Sequence, residues 1–289
     1  MNNNKVAFIG LGVMGYPMAG HLSNNGYDVS IFNRTTSKAE DWIKKYNGQL
    51  CLSPAEASSN ADFIMICVGK DEDLKEVFEG KNGILKTVKK NAIIIDHTTA
   101  SAEIAKYLYN KCKQINVGFL DAPISGGQAG AVNGKLSIMI GGDESNYKNS
   151  LEVLRSYGKT IKLIGSTGSG QLCKMVNQIC IAGLLQGLSE ALSFGKKSDL
   201  NMELVLEVIS KGAAQSWQMD NRTNTMINDE FEFGFAVDWM CKDLNICFDH
   251  AKKVNAKLPV TEIIYKYYEQ IKTNGGNRWD TSSLISLLK

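Results

Sequence analysis

Over the first 165 residues, short runs rich in Val, Ile, Leu and Phe alternate with segments whose apolar side chains recur every three or four positions. The runs 5–10, 27–33, 62–69, 92–96, 118–123, 136–141 and 160–165 have the length and β-branched content of strands. Between them, 14–25, 37–46, 101–113 and 144–157 carry helical spacing, and several begin at Ser or beside acidic residues that suit a helix N-terminus. Such alternation predicts a mostly parallel sheet wrapped by helices. After Gly165-Ser166-Thr167-Gly168-Ser169-Gly170 the pattern changes. Residues 171–195 are apolar nearly all round, which predicts a long helix buried on several sides, and 201–211, 217–228, 236–256 and 259–273 also read as helices. The expected organisation is an α/β domain over 1–165 and an all-α domain over 166–289 that opens with the long interdomain helix. A helix with so little polar face needs more partners than one small domain offers, so a homodimer or homotetramer with helices packed across subunits is expected.

Length and charge narrow the function classes. The 289 residues are enough for two cores, and 32 basic against 30 acidic side chains leave a formal charge of +2 with no long block of either sign. Neither nucleic acid nor a membrane surface is implied, so the expected partner is small. Seven cysteines without a C-x-x-C pair, several inside apolar runs, fit reduced thiols and disfavour both disulfides and a metal site. No apolar stretch has the length of a membrane span, and no secretory h-region precedes the first glycines, so a cytoplasmic enzyme is expected.

The first strand runs directly into Gly10-Leu11-Gly12-Val13-Met14-Gly15, with a helical segment following. This is a dinucleotide-binding fingerprint in its proper setting. Gly10 permits a tight turn, Gly12 lets backbone approach a pyrophosphate, and Gly15 allows close helix–strand packing at a helix N-terminus. The domain is therefore expected to be a Rossmann-type doubly wound unit holding a nicotinamide cofactor. Where a carboxylate normally ends the second strand, this chain has Asn33-Arg34-Thr35. Without that carboxylate a 2′-phosphate is not repelled, Arg34 offers fork-shaped donors and Asn33 and Thr35 add neutral ones, so NADP is preferred to NAD. The alternative is that Asn33 starts a turn and Arg34 is solvated. Val68, near the end of the run 62–69, joins the cofactor set, and the hydroxyls of Thr98 and Thr99 follow a strand end where they can meet the nicotinamide ribose or substrate. His97 lies there too, but a lone histidine at a strand end is more often structural and is left out.

Three further features carry chemistry. Lys174, Asn177 and Gln178 share one face of the long helix amid apolar neighbours, a one-turn polar patch that is costly unless something polar occupies it. A partly desolvated ammonium there would have a lowered pKa and could exchange a proton with a hydroxyl or carbonyl, while the amides hold the reacting oxygen. The bland alternative is a lysine snorkelling to the surface. Asp121-Ala122-Pro123-Ile124-Ser125-Gly126-Gly127 places dense glycines at a strand's carboxyl end, where exposed N–H groups can catch a carboxylate or simply make a turn. Lys242-Asp243 lies in an apolar, aromatic helix, as a structural ion pair or as a cleft wall.

Together these motifs, in this order, resemble the β-hydroxyacid dehydrogenase family, which includes 3-hydroxyisobutyrate dehydrogenases, tartronate semialdehyde reductases and the longer 6-phosphogluconate dehydrogenases. The likeness covers nearly the whole chain. It implies that Lys174 is the proton donor and acceptor, that Ser125, Gly126 and Gly127 bind a substrate carboxylate, and that Thr99 and Lys242 lie near cofactor and substrate. It also implies an enzyme interconverting a small 3-hydroxy acid and its semialdehyde. Many members carry two asparagines after the lysine. The Asn177-Gln178 pair here looks like that of tartronate semialdehyde reductases, and the longer amide makes transfer of substrate identity unsafe. Succinic semialdehyde reductase, serine dehydrogenase and a non-catalytic cofactor-binding module are the alternatives. Retention of Lys174 weighs against the last and against imine reductases, which share the fold but usually lack the lysine.

Overall fold

The computed structural model describes residues 4–288. Its first part runs β1 (Lys5–Ile9), α1 (Gly15–Asn24), β2 (Asp28–Phe32), α2 (Thr36–Lys45), β3 (Gln49–Leu50), α3 (Pro54–Ser58), β4 (Phe63–Ile66) and α4 (Asp71–Glu79). It continues through β5 (Ile93–Asp96), α5 (Ala102–Gln114), β6 (Gly118–Asp121), β7 (Ile124–Ser125), α6 (Gly127–Val132), β8 (Leu136–Gly142), α7 (Glu144–Leu154) and β9 (Gly158–Gly165). The long helix α8 (Ser169–Lys197) follows, then α9 (Met202–Ile209), α10 (Trp217–Ile227), α11 (Val237–Val254) and α12 (Pro259–Thr273). The chain divides into two compact units, Met1–Lys174 and Met175–Lys289, within α8.

The first unit holds one nine-stranded sheet in the order β3-β2-β1-β4-β5-β6-β8-β7, with β9 beside β8. The order reverses at β1, and the pairs around it, β1 with β2 and with β4, are parallel. In a doubly wound sheet ligands bind outside the carboxyl ends of the strands at such a reversal. The far end departs from the parallel pattern, since β8 runs antiparallel to β6 and β7. Alternate residues of each central strand serve opposite layers: Val6, Phe8, Phe63, Met65, Ile93 and Ile95 pack in one core, Ala7, Ile9, Ile64, Ile66 and Ile94 in the other. Burial on both faces explains why these strands read as unbroken apolar runs.

Every predicted strand forms, whereas β3, β7, α3, α4 and α6 were not anticipated. Two-residue strands offer no period to read. The helix α4 opens with Asp71, Glu72 and Asp73, favourable at the positive end of a helix dipole but polar enough to hide its spacing.

In the second unit, two clusters form the core. Met175, Leu185, Met240, Leu244, Ile264 and Tyr268 belong to one, and Leu188, Leu192, Met219, Met226 and Phe231 to the other. The expectation that α8 is buried on several sides holds only in part within one chain. Val176, Cys180, Leu184 and Phe194 lie exposed at helical spacing, so one apolar stripe has no cover among the described residues.

Candidate active site

In the first unit the site is built at the carboxyl ends of adjacent strands. Gly10 has φ of +100°, and a Cβ there would run into the Cys67 carbonyl, while one at Gly15 would strike the Gly10 carbonyl and the Phe8 ring. A Cβ at Gly12 would meet nothing within 4 Å. Two glycines are thus required by the protein's own packing, and the middle one faces open space of the kind a pyrophosphate needs. Met14, the residue before α1, makes no side-chain cap, so the first-turn N–H groups have no competing carboxylate or hydroxyl from that position. These features fit a bound dinucleotide.

Asn33 braces this loop. Its Oδ1 accepts from Leu11 N at 2.8 Å and its Nδ2 donates to the Thr35 carbonyl at 2.9 Å. Arg34 is 89% exposed at its side chain and lies 3.4 Å from Asp73 Oδ1. Thr35 precedes α2 without capping it. On the neighbouring strand ends, Val68 N donates to Thr98 Oγ1 at 3.1 Å, and Thr98 N donates to Asp96 Oδ1 at 2.9 Å. Thr99 is half-buried in the same loop.

Buried polar residues hold this loop to the start of α8. Asp121 accepts from Gly168 N at 2.7 Å and Gln171 N at 2.9 Å, so a carboxylate caps the positive end of the helix. The Gln171 side chain donates to the Thr98 carbonyl at 2.7 Å and accepts from Ala100 N at 3.0 Å, clasping the backbone on either side of Thr99. One turn along α8, Lys174 is only 7% exposed and its Nζ donates to the Ile124 carbonyl at 2.9 Å. That carbonyl immediately precedes Ser125, so the ammonium stands at the glycine turn. Gly126 and Gly127 follow with φ of +130° and +61°, values that few side chains tolerate. Lys174 therefore does not snorkel to solvent.

The electrostatics divide these groups by role. Burial pushes the Asp96 carboxyl up to about 7, and its Oδ2 has no hydrogen-bond partner among the described residues. Burial also raises Asp121, against the lowering effect of the backbone N–H groups it receives. His97 is pushed down to about 4 by burial. Its ring bonds the Ala122 carbonyl at 2.7 Å and Tyr157 Oη at 2.8 Å, so both nitrogens are committed inside the core.

The second unit has a polar network of its own. Gln178 Nε2 donates to Asp243 Oδ2 at 2.6 Å, and Asn177 Nδ2 donates to Gln178 Oε1 at 2.8 Å. Lys242 Nζ lies 3.2 Å from Asp243 Oδ1, an ion-pair contact without hydrogen-bond alignment, and 5.6 Å from the centre of the Trp239 ring. The sequence reading missed Gln171 and Asp96 as parts of the first-unit site. A glutamine three residues before a lysine on a helix signals nothing by itself, and Asp96 stood out only as a strand end.

Known proteins are similar to this chain over nearly its whole length. A family model described as the NAD binding domain of 6-phosphogluconate dehydrogenase matches residues 5–165. A second, described as NAD-binding of NADP-dependent 3-hydroxyisobutyrate dehydrogenase, matches 168–288. The chain is 50% identical to an oxidoreductase of Shewanella frigidimarina, over 99% of this chain and 98% of that protein. It is 33% identical to 2-hydroxy-3-oxopropionate reductase of Escherichia coli, over 99% and 97%. The structure of Mycobacterium tuberculosis 3-hydroxyisobutyrate dehydrogenase with L-serine superposes with a TM-score of 0.88 at 26% identity, covering 99% of each chain. With two family models spanning nearly its whole length, a nicotinamide-binding sheet and a lysine buried at a glycine turn, the chain belongs to the β-hydroxyacid dehydrogenase family, nicotinamide-dependent oxidoreductases acting on CH–OH groups.

Proposed function

We propose that the chain interconverts a small 3-hydroxy acid and its semialdehyde, of the 3-hydroxyisobutyrate or tartronate semialdehyde type, with Lys174 as general acid and base. The observation that carries this reading is the Lys174 ammonium, buried and bonded to the carbonyl that leads into Ser125-Gly126-Gly127. A substrate carboxylate bound by Ser125 and the N–H groups of the two glycines would be held close to that amine. In the oxidation direction Lys174 takes the hydroxyl proton, and in reduction it returns it. The nicotinamide, when bound, exchanges a hydride with the carbon bearing that oxygen. Asn177 is assigned to the reacting oxygen, and Lys242 to the substrate and cofactor.

NADP is the proposed coenzyme. Support comes from the absence of a carboxylate at Asn33-Arg34-Thr35 and from the exposed Arg34 guanidinium, which would leave Asp73 for a 2′-phosphate. Arg34→Ala should weaken NADP binding by about tenfold and leave NAD nearly unchanged, as nicotinamide fluorescence titration would show. Equal losses for both coenzymes would contradict the assignment.

A homodimer or homotetramer is proposed from the exposed apolar stripe of α8 and from α9, which buries none of its residues in one chain. Light scattering at micromolar concentration tests it. A cytoplasmic setting is supported by the free thiols, four of which are buried. The function itself is tested by following absorbance at 340 nm in both directions, with both coenzymes, on 3-hydroxyisobutyrate, glycerate, L-serine, tartronate semialdehyde and succinic semialdehyde. Inactivity across that panel would overturn the reading.

A further inference from the structure

We propose that Gln178 and Asp243 are positioning residues that impose one orientation on the Asn177 amide, rather than substrate contacts themselves. The inference rests on the reading that Asn177 meets the reacting oxygen. Gln178 is 1% exposed and Asp243 is fully buried, and both ends of the glutamine amide are engaged by protein.

The polarity of this chain follows from chemistry. A carboxylate beside a lysine ammonium only accepts, so the end of Gln178 facing Asp243 at 2.6 Å must be its NH2. The carbonyl Oε1 is then turned to Asn177, which must answer with its own NH2 at 2.8 Å. The Asn177 Oδ1 is consequently the end turned away from Gln178. Amide orientation is ordinarily ambiguous because oxygen and nitrogen have the same shape, and here a buried charge removes the ambiguity. Lys242 supplies the counter-charge, and donation then runs one way along three side chains, from Asn177 to Gln178 to Asp243. A buried network satisfied in one sense only has a single low-energy arrangement. The residue that departs from the common asparagine pair is thus explained as a spacer that spans from Asp243 to Asn177.

The test reverses and restores the polarity. In Gln178→Glu the introduced carboxyl, when protonated, can donate to Asp243 and accept from Asn177 as the amide does. When it ionises, two carboxylates face each other and the link breaks. Turnover of 3-hydroxyisobutyrate or L-serine by Q178E should lie within about threefold of wild type near pH 5.5 and fall about tenfold below it by pH 8. In the double variant Q178E/D243N the introduced amide donates to the introduced carboxylate, which still accepts from Asn177. That variant should regain most of the turnover at pH 8, with coenzyme affinity near wild type in every case. Thermal midpoints measured alongside separate the readings: Q178E loses stability as pH rises in either case, but a purely structural role lowers turnover only as far as the folded fraction falls, so the ratio of turnovers stays flat while both proteins remain folded at the assay temperature. A pH-independent ratio for Q178E, or a double variant no better than the single one, overturns the proposal. Inactive wild type, or full activity in Lys174→Ala, overturns the parent reading instead.

Discussion

The two units hold their polar residues in different ways. In the sheet unit nearly every polar contact at the site has a backbone group on one side: Asn33 to Leu11 N, Thr98 to Val68 N, Asp121 to Gly168 N and Gln171 N, Lys174 to the Ile124 carbonyl. In the helical unit the contacts run from side chain to side chain, through Asn177, Gln178, Asp243 and Lys242. The difference has a physical origin. Strand ends and helix starts leave unpaired N–H and C=O groups that a side chain can satisfy, whereas mid-helix backbone is already paired and only side chains remain to bond one another. In the first unit, then, site and architecture are the same bonds. In the second, the site can be altered while the helices stay as they are.

Substitutions can break or sharpen this contrast. The largest loss is expected from Lys174→Ala, which should lower kcat by at least about a hundredfold because the positioned acid-base group is gone. Coenzyme affinity, read by nicotinamide fluorescence, should stay near wild type, and unchanged turnover would remove the lysine from the mechanism. Gln171→Met should cost about thirtyfold in kcat and also about 2 kcal/mol of stability, because the buried Thr98 carbonyl and Ala100 N–H lose their partner. Urea titration alongside steady-state kinetics checks both halves. A loss of activity without loss of stability would place Gln171 with the separable residues of the second unit.

Asn177→Ala should lower kcat/KM by about tenfold with little change in thermal midpoint, the signature of a side-chain-borne site. A large drop in stability would erase the distinction between the units. The smallest effect on turnover is expected from Asp96→Asn, within about threefold, yet its stability should depend on pH. Asp96 is raised by burial from 3.8 to about 7, so between those values the native state keeps a proton that the unfolded chain has released. Wild type therefore loses stability as pH climbs through that window, and the loss is complete above about 7. The amide stays neutral throughout, so the variant should gain on wild type by about 4 kcal/mol between pH 4 and 8 in the absence of coenzyme. Parallel urea curves at the two pH values would show that Asp96 is already charged in the native protein.

Much of this was legible before any coordinates. The central strands β1, β4 and β5 announced themselves because both of their faces are buried, so their apolar runs are nearly unbroken. Gly10, Gly12 and Gly15 were readable because their spacing reflects a turn, an opening and a close approach, each with its own steric demand. Lys174 stood out as a charge in an apolar helix. By contrast, β3, β7 and α6 are too short to show a period, and α4 hides its apolar face behind three acidic residues. Asn33 was expected to add a neutral donor toward a phosphate beside the charged fork of Arg34. In the structure both ends of the Asn33 amide are engaged by the glycine loop and by Thr35, while the Arg34 guanidinium is exposed.

The chain's own letters were enough for the order of the seven longer strands, the glycine turn and the lysine near the start of α8, because these depend on local period and local steric limits. Tertiary structure alone decided the partners of the buried polar groups: Gln171 with the loop around Thr99, Asp121 with the start of α8, Gln178 with Asp243 sixty-five positions away. Hydrogen bonds between residues so far apart in sequence leave no periodic trace, since either residue would look the same with a different partner or with none.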